Sequence, residues 1–76
     1  MRELFLLWGR RIEEARKALG LTQVQLAEAV GVDQTTISQW ERGRVVPRDE
    51  MRIALANALG TTVAELLPYP EPESVS

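Results

Sequence analysis

The 76-residue chain contains neither cysteine nor histidine. Without cysteine it can form no disulfide and no thiolate metal site, and without histidine it lacks the commonest acid–base catalyst. A glycine-rich phosphate loop is also missing, and the acidic pairs Glu13-Glu14 and Asp49-Glu50 diverge on predicted helices. We therefore expect no enzymatic activity, no metal, no cofactor and no small-molecule ligand.

Long apolar runs are absent as well. The longest one, from Leu4 to Trp8, is far shorter than the roughly 20 residues that a membrane-spanning helix needs, and it lacks the cleavage site of a signal peptide. We therefore expect a cytoplasmic protein without membrane contact. The chain length predicts one small domain.

Basic charge, the usual mark of a nucleic-acid-binding domain, is not in excess. Nine basic and 11 acidic side chains give a net charge of −2, which argues mildly against DNA. Glu71 and Glu73 lie near the C-terminus, and without them the acidic and basic residues balance. The clustering of arginines on one face therefore matters more than the total charge.

Residues 23–42, with the sequence QVQLAEAVGVDQTTISQWER, form the most informative stretch. The pattern predicts two short helices hinged at Gly31, a residue type that takes a left-handed conformation without steric cost. Thr22 and Gln25 form a capping box before the first helix, and Asp33 can cap the second.

The second helix of this stretch has two chemically different faces. Ile37 and Trp40, three residues apart, share its apolar face. The apolar set of the whole stretch is Leu26, Ala27, Val30, Val32, Ile37 and Trp40. The opposite face carries uncharged hydrogen-bonding side chains: Gln34, Thr35, Ser38 and Gln39. Two helices joined by a glycine-containing turn, with a polar outer face on the second, predict a helix-turn-helix.

At these residues the sequence resembles a known family, the phage Cro and lambda-repressor-like (Xre) helix-turn-helix proteins. The resemblance extends from about Trp8 to Leu67. It implies an all-α fold, a compact bundle of five short helices, and a transcriptional regulator of a bacterium or a phage-infected cell. It rests on the spacing of Gln23, Ala27, Gly31, Ile37 and Trp40, and on the flanking phrases Leu21-Thr22-Gln23 and Trp40-Glu41-Arg42-Gly43.

The second helix of such a motif enters the major groove of DNA, where every base pair is distinguishable. The candidate base-reading residues are Gln34, Thr35, Ser38 and Gln39, of which the resemblance favours the two glutamines and Thr35. The resemblance also implies that Gln23 binds the DNA backbone. The other candidates for phosphate binding are Thr22, Thr36, Arg44 and Arg48. The alternative is that these residues are ordinary solvated surface groups.

The resemblance further implies a partly buried ion pair between Arg16 and Glu41, tying helix 1 to the end of helix 3. The alternative is that Glu41 pairs locally with Arg44 or is exposed. Proteins of this kind usually bind a two-fold DNA operator as homodimers. The candidate dimer contacts are Val45, Val46, Val63, Leu66, Leu67 and Tyr69, although Leu66 is favoured as a core residue.

Helix 1 is predicted from about residue 4 to residue 19. Gly9 lowers the helix propensity, so the helix could begin later than Leu4. Leu4, Phe5 and Leu7 either extend helix 1 over the core or cover a partner subunit. The apolar stripe of the helix is Trp8, Ile12, Ala15 and Leu19.

Helix 4 is predicted from about residue 48 to residue 59, with Pro47 in its first turn. Arg52 stands where the family often has an apolar residue, and either a different helix register or an interface contact would explain it. The predicted buried face is Met51, Leu55, Ala58 and Leu59, with Ala54 beside it.

Thr62 and Glu65 form a second capping box ahead of a short helix 5, which Pro68 ends. Residues 1–67 are therefore the predicted DNA-binding domain, and residues 68–76 are a flexible tail too polar and proline-rich to build a core. Two alternatives to a repressor remain. One is a protein-interaction module that has lost DNA binding, and the other is an antitoxin or restriction-modification controller of the same fold.

Overall fold

The computed structural model describes residues 2–69, and every regular element within them is a helix. The all-α prediction of five helices is confirmed. No helix in this part of the chain is long and apolar enough to cross a membrane. The helices are α1 Arg2–Ala18, α2 Gln23–Val30, α3 Gln34–Glu41, α4 Asp49–Ala58 and α5 Val63–Leu66.

One apolar core joins all five helices. Its centre is formed by Ile12, Leu26, Ile37 and Leu55, none of which has any exposed surface. The core also buries Trp8, Ala27, Trp40, Leu59, Leu66 and Leu67. Since α1 and α4 contribute to the same core as the helix-turn-helix, they fix the position of α2 and α3.

Helix α1 begins earlier and ends sooner than the sequence predicts. Leu4 and Leu7 pack against the core, so the apolar residues before Trp8 extend the helix. The predicted burial of Leu19 is wrong, because this side chain is 53% exposed. The helix stops at Ala18 and the chain then turns, so that Leu21 packs against the core instead.

Gly9 does not delay the start of α1, because the helix runs through it. Gly9 is required where α1 packs against α3. A Cβ atom at this position would lie 2.6 Å from the carbonyl oxygen of Trp40 and would also collide with that of Glu41. The absence of a side chain therefore lets α1 lie directly on the end of α3.

Pro47 lies two residues before the start of α4 at Asp49 rather than in its first turn. Arg48 is the N-cap, with an extended backbone (φ −72°, ψ 167°), and Pro47 before it is fully buried. Arg52 Nε donates to the Pro47 carbonyl oxygen at 2.8 Å, and its guanidinium lies 4.7 Å from the centroid of the Trp8 ring. Arg52 thus covers the edge of the core and bonds to the loop before its own helix.

Only half of the predicted capping box at α5 forms. The Thr62 hydroxyl accepts from the Glu65 N–H at 3.1 Å, but the Glu65 carboxylate accepts from the Thr61 hydroxyl at 2.9 Å. Leu66 and Leu67, two of the candidate dimer contacts, are buried in the core, which is the role favoured for Leu66 from the sequence. They are therefore unavailable to a partner unless the fold opens.

The first two residues of the predicted tail contact α1. Trp8 Nε1 donates to the Pro68 carbonyl oxygen at 2.8 Å, and the Tyr69 ring meets the Trp8 ring edge-on, with 5.2 Å between centroids. Residues 70–76 of the predicted tail lie outside the described residues.

Candidate nucleic-acid interface

The turn between α2 and α3 depends on Gly31. Its φ of 90° is left-handed, and its N–H donates to the Ala27 carbonyl oxygen at 2.8 Å. At the other end of α2 the predicted capping box is complete: Thr22 Oγ1 accepts from the Gln25 N–H at 3.0 Å, and the Gln25 carboxamide oxygen accepts from the Thr22 N–H at 2.9 Å. These bonds define both ends of α2.

Asp33 starts α3. Its carboxylate accepts from the Thr36 N–H at 2.9 Å and from the Thr36 hydroxyl at 2.7 Å. These two bonds favour the charged carboxylate and hold the pKa of Asp33 below its ordinary value of 3.8. Because the single hydroxyl hydrogen of Thr36 is engaged by Asp33, Thr36 is a weaker candidate for phosphate binding than Thr22.

The two faces of α3 are separated as the helical spacing predicts. Ile37 is fully buried and Trp40 is only 5% exposed. On the opposite side Gln34, Thr35 and Gln39 are exposed, and Ser38 is half-buried. The candidate base-reading residues therefore share one outward surface, which we call the reading face.

The end of α3 is tied to α1 by a buried ion pair. Arg16 Nε donates to Glu41 Oε2 at 2.6 Å, and a second guanidinium nitrogen donates to Glu41 Oε1 at 3.2 Å. The hydrogen bond from Arg16 to this carboxylate raises the pKa of Arg16 above its ordinary value, while burial opposes the rise. Arg16 also donates to the Leu21 carbonyl oxygen at 2.8 Å, so it fixes the loop before α2.

Gln23 connects this ion pair to the reading face. Its Nε2 donates to Glu41 Oε1 at 2.9 Å, and its Oε1 accepts from Gln34 Nε2 at 3.2 Å. Neither bond was predicted from the sequence, because the three residues come from two helices and their partners depend on how those helices cross. The result is a hydrogen-bonded series from Arg16 through Glu41 and Gln23 to Gln34.

The predicted phosphate-binding arginines lie after the reading helix. Arg44 and Arg48 are exposed, and the Arg44 N–H donates to the Gln39 carbonyl oxygen at 3.0 Å. Thr22 is also exposed and keeps its hydroxyl hydrogen, because its oxygen is only an acceptor in the capping box. In the chain Thr22 directly precedes α2, and Arg44 and Arg48 lie between α3 and α4.

Comparison with known proteins identifies the family. The helix-turn-helix family model matches residues 12–66. The repressor protein C2 of Salmonella phage P22 is 45% identical over 53 residues, which cover 70% of this chain and 24% of that protein. An uncharacterised HTH-type regulator, YazB of Bacillus subtilis, is 36% identical over 62 residues, 82% of this chain and 90% of that protein. The chain therefore belongs to the helix-turn-helix family of transcription regulators.

Solved structures confirm the lambda-repressor-like fold. The P22 c2 repressor in complex with a synthetic operator has a TM-score of 0.77 and 42% identity, covering 79% of this chain and 91% of that chain. The restriction-modification controller protein C.AhdI of Aeromonas hydrophila has a TM-score of 0.80 and 33% identity, covering 87% of this chain and 98% of that chain. These similar proteins are regulators rather than enzymes.

Proposed function

We propose that this chain binds double-stranded DNA in a sequence-specific manner and regulates transcription, with α3 in the major groove. The observation that carries the proposal is the orientation of α3. Ile37 and Trp40 hold one side in the core, while Gln34, Thr35 and Gln39 project from the other. A rigid helix with an outward row of hydrogen-bonding side chains suits direct readout of base edges.

The contacts of Gln34 fit it for reading adenine. One of its two Nε2 hydrogens is bonded to Gln23, which leaves one hydrogen and the carboxamide oxygen. A donor and an acceptor side by side match N7 and N6 of adenine. Gln23 thereby orients the Gln34 amide before DNA arrives and lowers the ordering cost of the contact.

Gln23 itself is suited to a phosphate. One Nε2 hydrogen is bonded to Glu41, and the second remains for a DNA oxygen. Gln23 is the first residue of α2, where backbone N–H groups and the helix dipole also favour an anion. Thr22, Arg44 and Arg48 add candidate backbone contacts that fix the protein on the duplex.

The relatives support a repressor. The P22 protein is named a repressor and is solved with a synthetic operator. The family match over residues 12–66 includes α2 and α3. The likeness to C.AhdI makes a restriction-modification controller the second candidate. The intact reading face opposes the interaction module that has lost DNA binding.

We further propose a homodimer on a two-fold operator, because one short reading helix contacts only a few base pairs. With Leu66 and Leu67 in the core, the remaining candidates are Val45, which is 46% exposed, and Tyr69, which is 64% exposed. Val46, next to Val45 in the chain, and Val63, the first residue of α5, are half-buried.

The proposal is tested by selecting bound duplexes from a random pool and measuring the mass of the complex by light scattering. We expect two inverted half-sites with centres about one helical turn apart, bound by two chains. Gln34→Ala serves as the test variant, and Asn57→Ala, which alters an exposed amide on α4, is its control.

Equal binding of the wild-type protein to selected and random duplexes would overturn sequence-specific recognition. One chain on a single half-site would overturn the dimer.

A further inference from the structure

Glu41 lies at the buried end of the hydrogen-bonded series that reaches the reading face. Its side chain is 4% exposed, and an ionised carboxylate accepts hydrogen bonds but donates none. Arg16 donates to Oε2 at 2.6 Å and to Oε1 at 3.2 Å, and Gln23 Nε2 donates to Oε1 at 2.9 Å. Gln23 therefore has to turn its NH2 group, and not its oxygen, toward Glu41.

This orientation is passed on to Gln34. With the NH2 group of Gln23 directed at Glu41, the Gln23 Oε1 is directed at Gln34 and accepts from Gln34 Nε2 at 3.2 Å. The NH2 group of Gln34 is thereby held toward α2, and its oxygen lies on the other side of the amide. Turning the Gln34 amide over would place its oxygen against the oxygen of Gln23. One buried carboxylate thus fixes both glutamine amides.

The orientation of a glutamine amide decides which base pairs it matches. The base pairs present different orders of donors and acceptors across the major groove. At the centre of the groove an A·T pair presents a donor followed by an acceptor, and a T·A pair presents the reverse order. Exchanging the NH2 group and the oxygen of Gln34 therefore changes the base pairs with which it forms two hydrogen bonds.

We propose that Glu41 is a positioning residue for base recognition, which acts through Gln23 to select the base pair that Gln34 reads, an inference that rests on the proposed DNA-binding function. Glu41 acts from below the reading face, without contact to DNA. This role is separate from the stability that the ion pair with Arg16 supplies. It depends on the carboxylate being an acceptor only, and not on its charge.

The test variant is Glu41→Gln, which keeps the size of the side chain. Arg16 only donates, so it binds the oxygen of the new amide and leaves the NH2 group facing Gln23. Both Gln23 and Gln34 should then turn over. The base pair to follow is the one whose preference Gln34→Ala relaxes. Its preference, about 5–150-fold for one bidentate contact, should fall by about threefold or more. The preference at the base pair read by Gln39, which lies outside the series, should stay unchanged.

Arg16→Lys is the matched control, because it weakens the same ion pair but keeps the carboxylate of Glu41. It should lower the melting temperature and leave the base preference unchanged. The preference is a ratio of affinities for two duplexes, so a partly unfolded fraction lowers both affinities alike. Equal losses of preference in Arg16→Lys and Glu41→Gln would assign the effect to the ion pair and overturn the inference.

A second variant keeps the test decisive if Glu41→Gln does not fold. Gln23→Met leaves the ion pair in place and frees the Gln34 amide, so it should reduce the preference at the same base pair. Where both variants fold, their effects on this preference should be less than additive, because they act on one series.

Unchanged preference in Gln23→Met or in folded Glu41→Gln, or additive effects of the two, overturns the inference. Selection of a duplex by the wild-type protein leaves the proposed function standing in each of these cases. A wild-type protein that selects no duplex overturns both. Circular dichroism melting verifies that each variant is folded at the temperature of the binding measurement.

Discussion

Gln23 Nε2 and Arg16 Nη2 converge on the same oxygen of Glu41, at 2.9 Å and 3.2 Å. One buried carboxylate therefore receives donors from α1 and from the start of α2, while it belongs to the end of α3. Such a group is electrostatically satisfied only while all three helices keep their positions. Its removal leaves a buried guanidinium without its anion, which is much costlier than the loss of an exposed pair.

Glu41→Ala should destabilise the fold by about 3–5 kcal/mol, because Arg16 remains buried without a counter-charge. The exposed Glu28 on α2 is the matched control, and Glu28→Ala should change the free energy of unfolding by no more than about 0.5 kcal/mol. Urea denaturation of both variants measures the difference. Equal effects would show that the ion pair does not hold α1 to α3.

Gly9→Ala should destabilise the protein by about 1–3 kcal/mol, since the added methyl group meets the carbonyl oxygens of Trp40 and Glu41. In an uncrowded helix the same change stabilises by roughly 0.5–1 kcal/mol, because glycine loses more backbone entropy on folding. A lower melting temperature of Gly9→Ala would therefore indicate that α1 and α3 are in close contact, and a higher one would contradict this contact.

Gln34→Ala and Gln39→Ala should each cost about 1–3 kcal/mol of binding free energy and relax the preference at particular base pairs. Arg44→Ala should weaken binding to selected and random duplexes alike, because a phosphate contact carries no sequence information. Competition band shifts with single-base variants of the selected duplex measure both effects. Unchanged base preference in the two glutamine variants would contradict the assignment of the reading face.

The Asp33 cap should make stability depend on pH below about pH 4. Because the pKa of Asp33 in the folded protein lies below its ordinary value of 3.8, its contribution is present above that value and is lost as the pH falls through the folded-state pKa. Asp33→Asn keeps a capping oxygen but does not titrate. The wild-type melting temperature should therefore fall relative to that of this variant as the pH is lowered from 5 to 2.

Arg52→Lys should lower stability by about 0.5–1.5 kcal/mol although the charge is kept, because lysine cannot reproduce the bond to the Pro47 carbonyl while covering the Trp8 ring. Arg10→Lys, an exposed exchange on α1, is the control and should have no measurable effect. A melting temperature that is equally unaffected by both changes would show that the contacts of Arg52 are not needed.

The features that follow from local spacing could be predicted from the sequence. The two faces of α3, the left-handed Gly31 and the Thr22 capping box each depend on residues within one or two helical turns. The pairing of Arg16 with Glu41 came from the resemblance to a family, because 25 residues separate the partners.

Features that depend on how the helices cross were missed or mistaken. From the sequence alone Gly9 only lowers the helix propensity of α1, whereas in the structure it allows close contact with α3. Arg52 stands at a position where an apolar residue is expected, and its contacts with Trp8 and Pro47 explain it only in the folded chain. Leu19 fits the apolar stripe, but its burial depends on where α1 stops. The bonds of Gln23 to Glu41 and to Gln34 likewise require the tertiary arrangement.

The bond from Trp8 to the Pro68 carbonyl has a practical consequence for engineering. The main chain just after α5 is hydrogen-bonded to α1, and the Tyr69 ring packs against the same tryptophan. An affinity tag or reporter joined directly at residue 67 would remove both contacts and expose the Trp8 indole. Fusions should therefore retain Pro68 and Tyr69 and place a spacer beyond them.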